Sequence, residues 1–228
     1  MRFVLILALL TVSAGCRELS REQEAARRMI IAKSTKGPHV QALAHLIDWD
    51  RLDALTGQRA AVPAFLKACY HLEAARREGA HLDLLIGAVH EKNGVRHTKR
   101  ARAQATTLTR NHYLLKSMGC LNEVGMANLK KGKAPMIVKG KRSRELASVD
   151  HILPFRIVPE LGNRLYNLHI LGEAPKQSKG DHISYADLAS ADHWLEDGLL
   201  SEEGLKAVEA VVMSQIASEW RSKHTLDR

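Results

Sequence analysis

Apolar residues recur at helical spacing over most of the chain. Between residues 38 and 55 they fall at Val40, Leu43, Leu46, Ile47 and Leu52, one face of a helix that Gly57 can stop. Residues 17–34 read as a more polar helix ending before Gly37-Pro38. From Pro63 the run AFLKACYHLEAARREG predicts another, with proline at its start and Gly79 past its end. Residues 80–94 predict a helix that closes on the turn signal Asn93-Gly94, and residues 96–119 a strongly basic one that ends at Gly119. The pattern changes at Lys130. KKGKAPMIVKGKRSRELASVDHIL mixes Gly, Lys and β-branched residues and predicts short strands joined by turns. Helical spacing returns in SYADLASADHWLEDG, with Ser184 as N-cap and Gly198 as stop. A last helix follows Ser201, acidic in its first turn and basic in its last. The pattern predicts an α+β chain that is mainly helical, with a small β-containing centre and two C-terminal helices. No internal repeat is visible.

Composition sharpens this in two places. Of the 228 residues, 45% are hydrophobic but only 4% aromatic, so the core must be built from Leu, Ile, Val, Ala and Met. The net charge of +9 is unevenly spread. Residues 96–144 hold thirteen Lys and Arg against one acid, Glu123, which leaves the rest of the chain mildly acidic. Such a block suits a polyanion such as nucleic acid; a solvated basic face is the simpler alternative. The first sixteen residues, MRFVLILALLTVSAGC, read as a secretory leader whose apolar run is too short to span a bilayer. Their ending resembles a bacterial lipoprotein box, which implies lipidation at Cys16 and an exported protein, in the periplasm, anchored to the cell envelope or secreted. An exported chain permits disulfides, and Cys69 and Cys120 are the even pair that remains. No Cys-x-x-Cys occurs, which argues against a structural zinc knuckle.

The candidate chemistry lies in SVDHILPFRIVPELGNRLYNLHIL, residues 148–171. Asp150 and His151 stand side by side there, Pro154 follows, and Asn167 returns before Leu168 and His169. With GKAPMIV upstream and KQSKGD downstream, this stretch resembles the HNH endonuclease family. The resemblance covers roughly residues 132–182. It implies a ββα-metal module at residues 130–183, between a helical region at 17–129 and C-terminal helices at 184–228. In that family an Asp-His or His-His pair lies on the first strand, and an Asn-Leu pair on the second. An Asn or His nine residues after that Asn opens the helix, ahead of a Lys.

The resemblance implies a metal-dependent endonuclease that hydrolyses phosphodiester bonds of DNA, or RNA, with little sequence preference. Asp150 offers the hard oxygen that Mg²⁺ prefers, and His151 suits a general base. Neighbours on a strand point to opposite faces, so the pair needs a bend, and Pro154 fits the chain leaving regular pairing there. Asn167 corresponds to the residue that holds the loop and orients the histidine. Arg156 and Lys179 are expected phosphate contacts. The departure is Lys176, which stands nine residues after Asn167 where the family has its second metal ligand. An ammonium has no lone pair to give and repels a cation. His169 and His182 are nearby donors, neither at the family position. Two other readings follow. One is a nuclease fold that binds nucleic acid without cutting it, with Lys176 on a phosphate. The other is an envelope lipoprotein whose basic face meets anionic lipid or polysaccharide. No protein partner is expected.

Overall fold

The computed structural model describes residues 20–57 and 59–224; the expected leader and Cys16 lie outside the described residues. Helices begin where the chain can satisfy their first N–H groups. α1 (Arg21–Lys36) starts from a capping box of Ser20 and Gln23. α2 (Pro38–Leu46) follows with proline in its first turn. The apolar face read as far as residue 55 does not continue as one helix. Asp48 accepts the Arg51 N–H at 2.9 Å and starts a short new helix, α3 (Trp49–Asp53). A side chain that bonds locally to backbone competes with helix continuation in this way. α4 (Val62–Arg77), α5 (Leu82–Lys92) and α6 (Lys99–Ser117) occupy the predicted helical stretches. α7 (Glu123–Lys130), capped by Asn122, was not anticipated, being too short to carry a periodic signal.

Leu43, Ile47, Phe65, Leu72, Leu108 and Leu129 meet in a core shared by these helices. Cys69 and Cys120 belong to it as free, buried thiols, so the expected disulfide between them is not present. Burial pushes their pKa values up to about 12 and about 11, which holds them as inert apolar fillers. One charged group is also enclosed. Glu73 accepts from both Arg76 and Arg77 and pairs with His112 at 2.9 Å. Burial pushes its carboxyl up, but those hydrogen bonds prevail and hold it well below the usual carboxylate range.

Residues 131–146 were expected to form strands and mostly do not. The only pairing described there is an isolated bridge of Met136 with Leu146, while Gly132, Gly140 and Arg144 take positive φ and turn the chain repeatedly. Regular pairing begins at β1 (Ala147–His151), antiparallel to β2 (Leu168–Gly172), with Asp150 opposite His169 and His151 opposite Leu168. α8 (Glu173–Lys179), α9 (Tyr185–Glu196) and α10 (Glu202–His224) complete the described chain. The described residues are thus mainly helical, with one small two-stranded antiparallel sheet among them.

Alternation decides what the sheet faces. Ala147 and Val149 on β1, with Leu168 and Ile170 on β2, join the helical core. Ser148, Asp150, His169 and Leu171 take the opposite face, over which α8 packs. The long loop between the strands is enclosed by a second core, where Leu153, Leu161 and Tyr166 meet Trp194 and Val208 of α9 and α10. The Tyr166 hydroxyl donates to the Leu199 carbonyl at 2.8 Å and fixes that docking.

Candidate functional site

The outer edge of β2 is closed from the helical side. Asn111 of α6, fully buried, accepts the Ile170 N–H at 2.7 Å and donates to the Leu168 carbonyl at 3.2 Å. Arg110 donates to that same carbonyl at 3.4 Å. With β1 on one side and Asn111 on the other, β2 is held rigidly beneath whatever its free face does.

His151 ends β1 and is 5% exposed. Its Nε2 lies 2.7 Å from the Gly162 carbonyl oxygen. A carbonyl only accepts, so Nε2 must carry the hydrogen and Nδ1 keeps the free lone pair of the neutral ring. Burial lowers the His151 pKa, against the carbonyl bond and Asp150, which raise it, while Lys179 and Arg59 lower it further. The loop that brings Gly162 to this ring is closed by Asn167. Its Oδ1 accepts the Leu153 N–H at 2.8 Å, and its Nδ2 donates to the Leu153 and Leu161 carbonyls. Its own carbonyl accepts the Ile152 N–H at 2.7 Å. Asn167 therefore touches both flanks of the turn out of β1 and supports His151 through the backbone.

α8 brings two lysines to the outer face. Its first turn tolerates Pro175, whose missing N–H would have had no helical partner, and the helix opens at Glu173, earlier than the expected 176. Lys176 Nζ donates to Ser148 Oγ at 3.0 Å. Lys179 Nζ donates to the carbonyls of His151 and Ile152 at 2.7 and 2.6 Å, which ties α8 to the end of β1. Burial lowers both lysine pKa values; Arg59 lowers that of Lys176 further, and Asp150 opposes the shift at both. Arg156 is exposed and 3.9 Å from Asp181, well away from such ties. His169 lines a cleft with Pro175, Ser178, Lys179, His182 and Asp187. Its Nε2 is buried without a hydrogen-bond partner, and burial, then Lys179 and Arg110, bring its pKa down to about 4.

Comparison with family models, with curated proteins and with solved structures finds no match.

Arg59, which sequence reading missed, acts electrostatically on His151 and Lys176. It precedes Asp150 by about ninety residues, in a polar turn with no motif around it. Asn163 brings that turn to the site: it accepts the Ala61 N–H at 3.2 Å and donates to the Leu55 carbonyl at 2.8 Å. The residues beside Asp150 do not fit the expected Mg²⁺. Its neighbours across the same face are an ammonium and a neutral imidazole, and Arg59 adds another positive charge. Among the described residues no three His, Cys, Asp or Glu side chains gather into a metal-holding group. One carboxylate with waters can hold Mg²⁺, but here the fixed ammonium beside it opposes a cation.

Proposed function

We propose that this chain is an HNH-type hydrolase acting on phosphodiester bonds of nucleic acid, with DNA as the first substrate to test. The observation that carries the reading is the anchored imidazole. His151 stands at a strand end with Nε2 committed to the Gly162 carbonyl and Nδ1 left to accept a proton. That tautomer suits a general base acting on water. The strand–loop–strand–helix order, the Asn167 bonds across the loop and the cations of α8 support the same reading. A surface rich in Lys and Arg from residues 96 to 144 supplies affinity for the phosphate backbone without base readout.

Nicking of supercoiled plasmid tests this directly. Wild-type protein should convert plasmid to the open-circular form, and His151→Ala should be slower by about 10²–10⁴-fold with DNA affinity nearly unchanged. Salt-sensitive DNA binding without nicking by the wild type would assign a binding role instead. Equal rates for the two proteins would remove His151 from the chemistry.

A further inference from the structure

We infer that Lys176 supplies beside Asp150 the positive charge that a divalent cation would bring, so that this site hydrolyses phosphodiesters without a metal ion. The inference rests on the hydrolase reading and concerns the same site. Three observations carry it. First, Lys176 Nζ is 3.0 Å from Ser148 Oγ, and Ser148 lies two residues before Asp150, hence on the same face of β1. The ammonium is therefore held over the strand by a neutral hydroxyl. Among the described residues no carboxylate lies within ion-pair distance of it, so its charge is not consumed locally.

Second, the other lysine of α8 is tied to the backbone. Lys179 gives two of its three donors to the carbonyls of His151 and Ile152 and holds the end of β1 in place, adding its charge from there. The division of labour between residues 176 and 179 follows from where each ammonium ends. Third, Asp150 faces a local excess of positive charge from Lys176, Lys179 and Arg59, together with an unpartnered neutral imidazole across the strand pair at His169. Such surroundings attract an anion and repel a cation. A phosphodiester brought to this face meets cationic charge that is already in place and needs no reorganisation to act.

The chemical step balances with water alone. His151 ends β1 on the side that alternates with the Lys176 face, and from that side its Nδ1 takes one proton from water as the water oxygen bonds to phosphorus. The phosphorus–oxygen ester bond then breaks, and its electron pair leaves on the departing alkoxide oxygen, which takes a proton from solvent. Lys176 remains protonated throughout and neutralises the phosphoryl oxygens. His151 returns its proton to solvent, and one water is consumed for each bond cut.

The test uses the full chain, stripped with EDTA, in plasmid nicking with and without added Mg²⁺. The expected result is the same rate, within about threefold, in EDTA and in millimolar Mg²⁺. Lys176→Met, which keeps the stem and removes the charge, should lower kcat by about 10²–10³-fold, and Mg²⁺ should not restore it. Lys176→Arg should recover part of the rate. Calorimetric titration of Mg²⁺ should give no heat of binding with the wild type, a readout independent of turnover, and thermal melts should show Lys176→Met folded. Nicking that requires a divalent ion and stops in EDTA would overturn the inference while leaving the hydrolase reading intact. Faster nicking by Lys176→Asn in Mg²⁺ than by the wild type would overturn it too. Absence of nicking under both conditions would sink the hydrolase reading and this inference with it.

Discussion

Asn167 presents one side chain to three backbone groups, and each bond is made where water cannot substitute. Truncation to alanine leaves the Leu153 N–H and C=O without partners in a buried loop. Each unsatisfied buried group costs about 1–3 kcal/mol, so Asn167→Ala should destabilise the fold by about 3 kcal/mol in urea denaturation. Because the same bonds hold Gly162 against His151, nicking should fall in proportion to the loss of that support, even at temperatures where the variant is folded. A variant as stable as the wild type would mean that the loop is held by its apolar contacts alone. His151, Asn167 and Lys179 were all visible in the sequence because they fall within one short pattern. What each nitrogen bonds to was not visible. Lys179 was expected to meet phosphate, yet its ammonium is spent on carbonyls, since only the fold decides which acceptors lie within reach.

Among the elements, helices with a capping residue ahead of a long periodic run were readable. Ser184 was read as a cap and does cap α9, in a reciprocal box with Asp187. Ser184→Ala should therefore cost about 1 kcal/mol, measurable as a lower urea midpoint with an unchanged slope. The misses share a cause as well. Asp48 interrupts an apolar face whose spacing alone argues for continuation, because the local bond to Arg51 N–H competes with the helical one. The Gly- and Lys-rich stretch after Lys130 was read as strands on its β-branched residues, but positive φ at Gly132, Gly140 and Arg144 breaks up regular pairing. Arg59 had no local signal at all; Asn163 ties the turn around it, through Leu55 and Ala61, to the loop between the strands.

Across the whole molecule, stability rests partly on groups that must stay in one charge state. His71 is half-buried against His39, whose Nδ1 is 2.9 Å from its own, with the Tyr70 ring beside it and Lys130 acting on it. Burial, then His39 and Lys130, lower its pKa from 6.5 to about 4, while His39 also meets Glu78 at 3.1 Å. The folded state therefore holds fewer protons on His71 than the unfolded chain. Stability from this group is fully present above about pH 6.5 and is lost as pH falls towards 4. Urea denaturation at pH 7.5, 5.5 and 4.5 should show that decline, and His71→Gln should make it shallower, the share of His169 remaining. Glu73 gives a second test: Glu73→Ala removes the buried acceptor of Arg76, Arg77 and His112, but both guanidinium groups stay partly solvated. The loss should therefore be about 1.5–3 kcal/mol, more than an exposed ion pair contributes.

Asn111 carries a consequence for solubility. Its amide meets the Leu168 carbonyl and the Ile170 N–H as a neighbouring strand would, so it acts as a one-residue surrogate for a third strand. A two-stranded ribbon with an open edge is a template for pairing with other chains, and blocking that edge is a defence against aggregation. Asn111→Leu keeps the bulk and removes the blockade. Light scattering during refolding should then rise with protein concentration for the variant and stay flat for the wild type, because β2 becomes able to pair with β2 of another molecule.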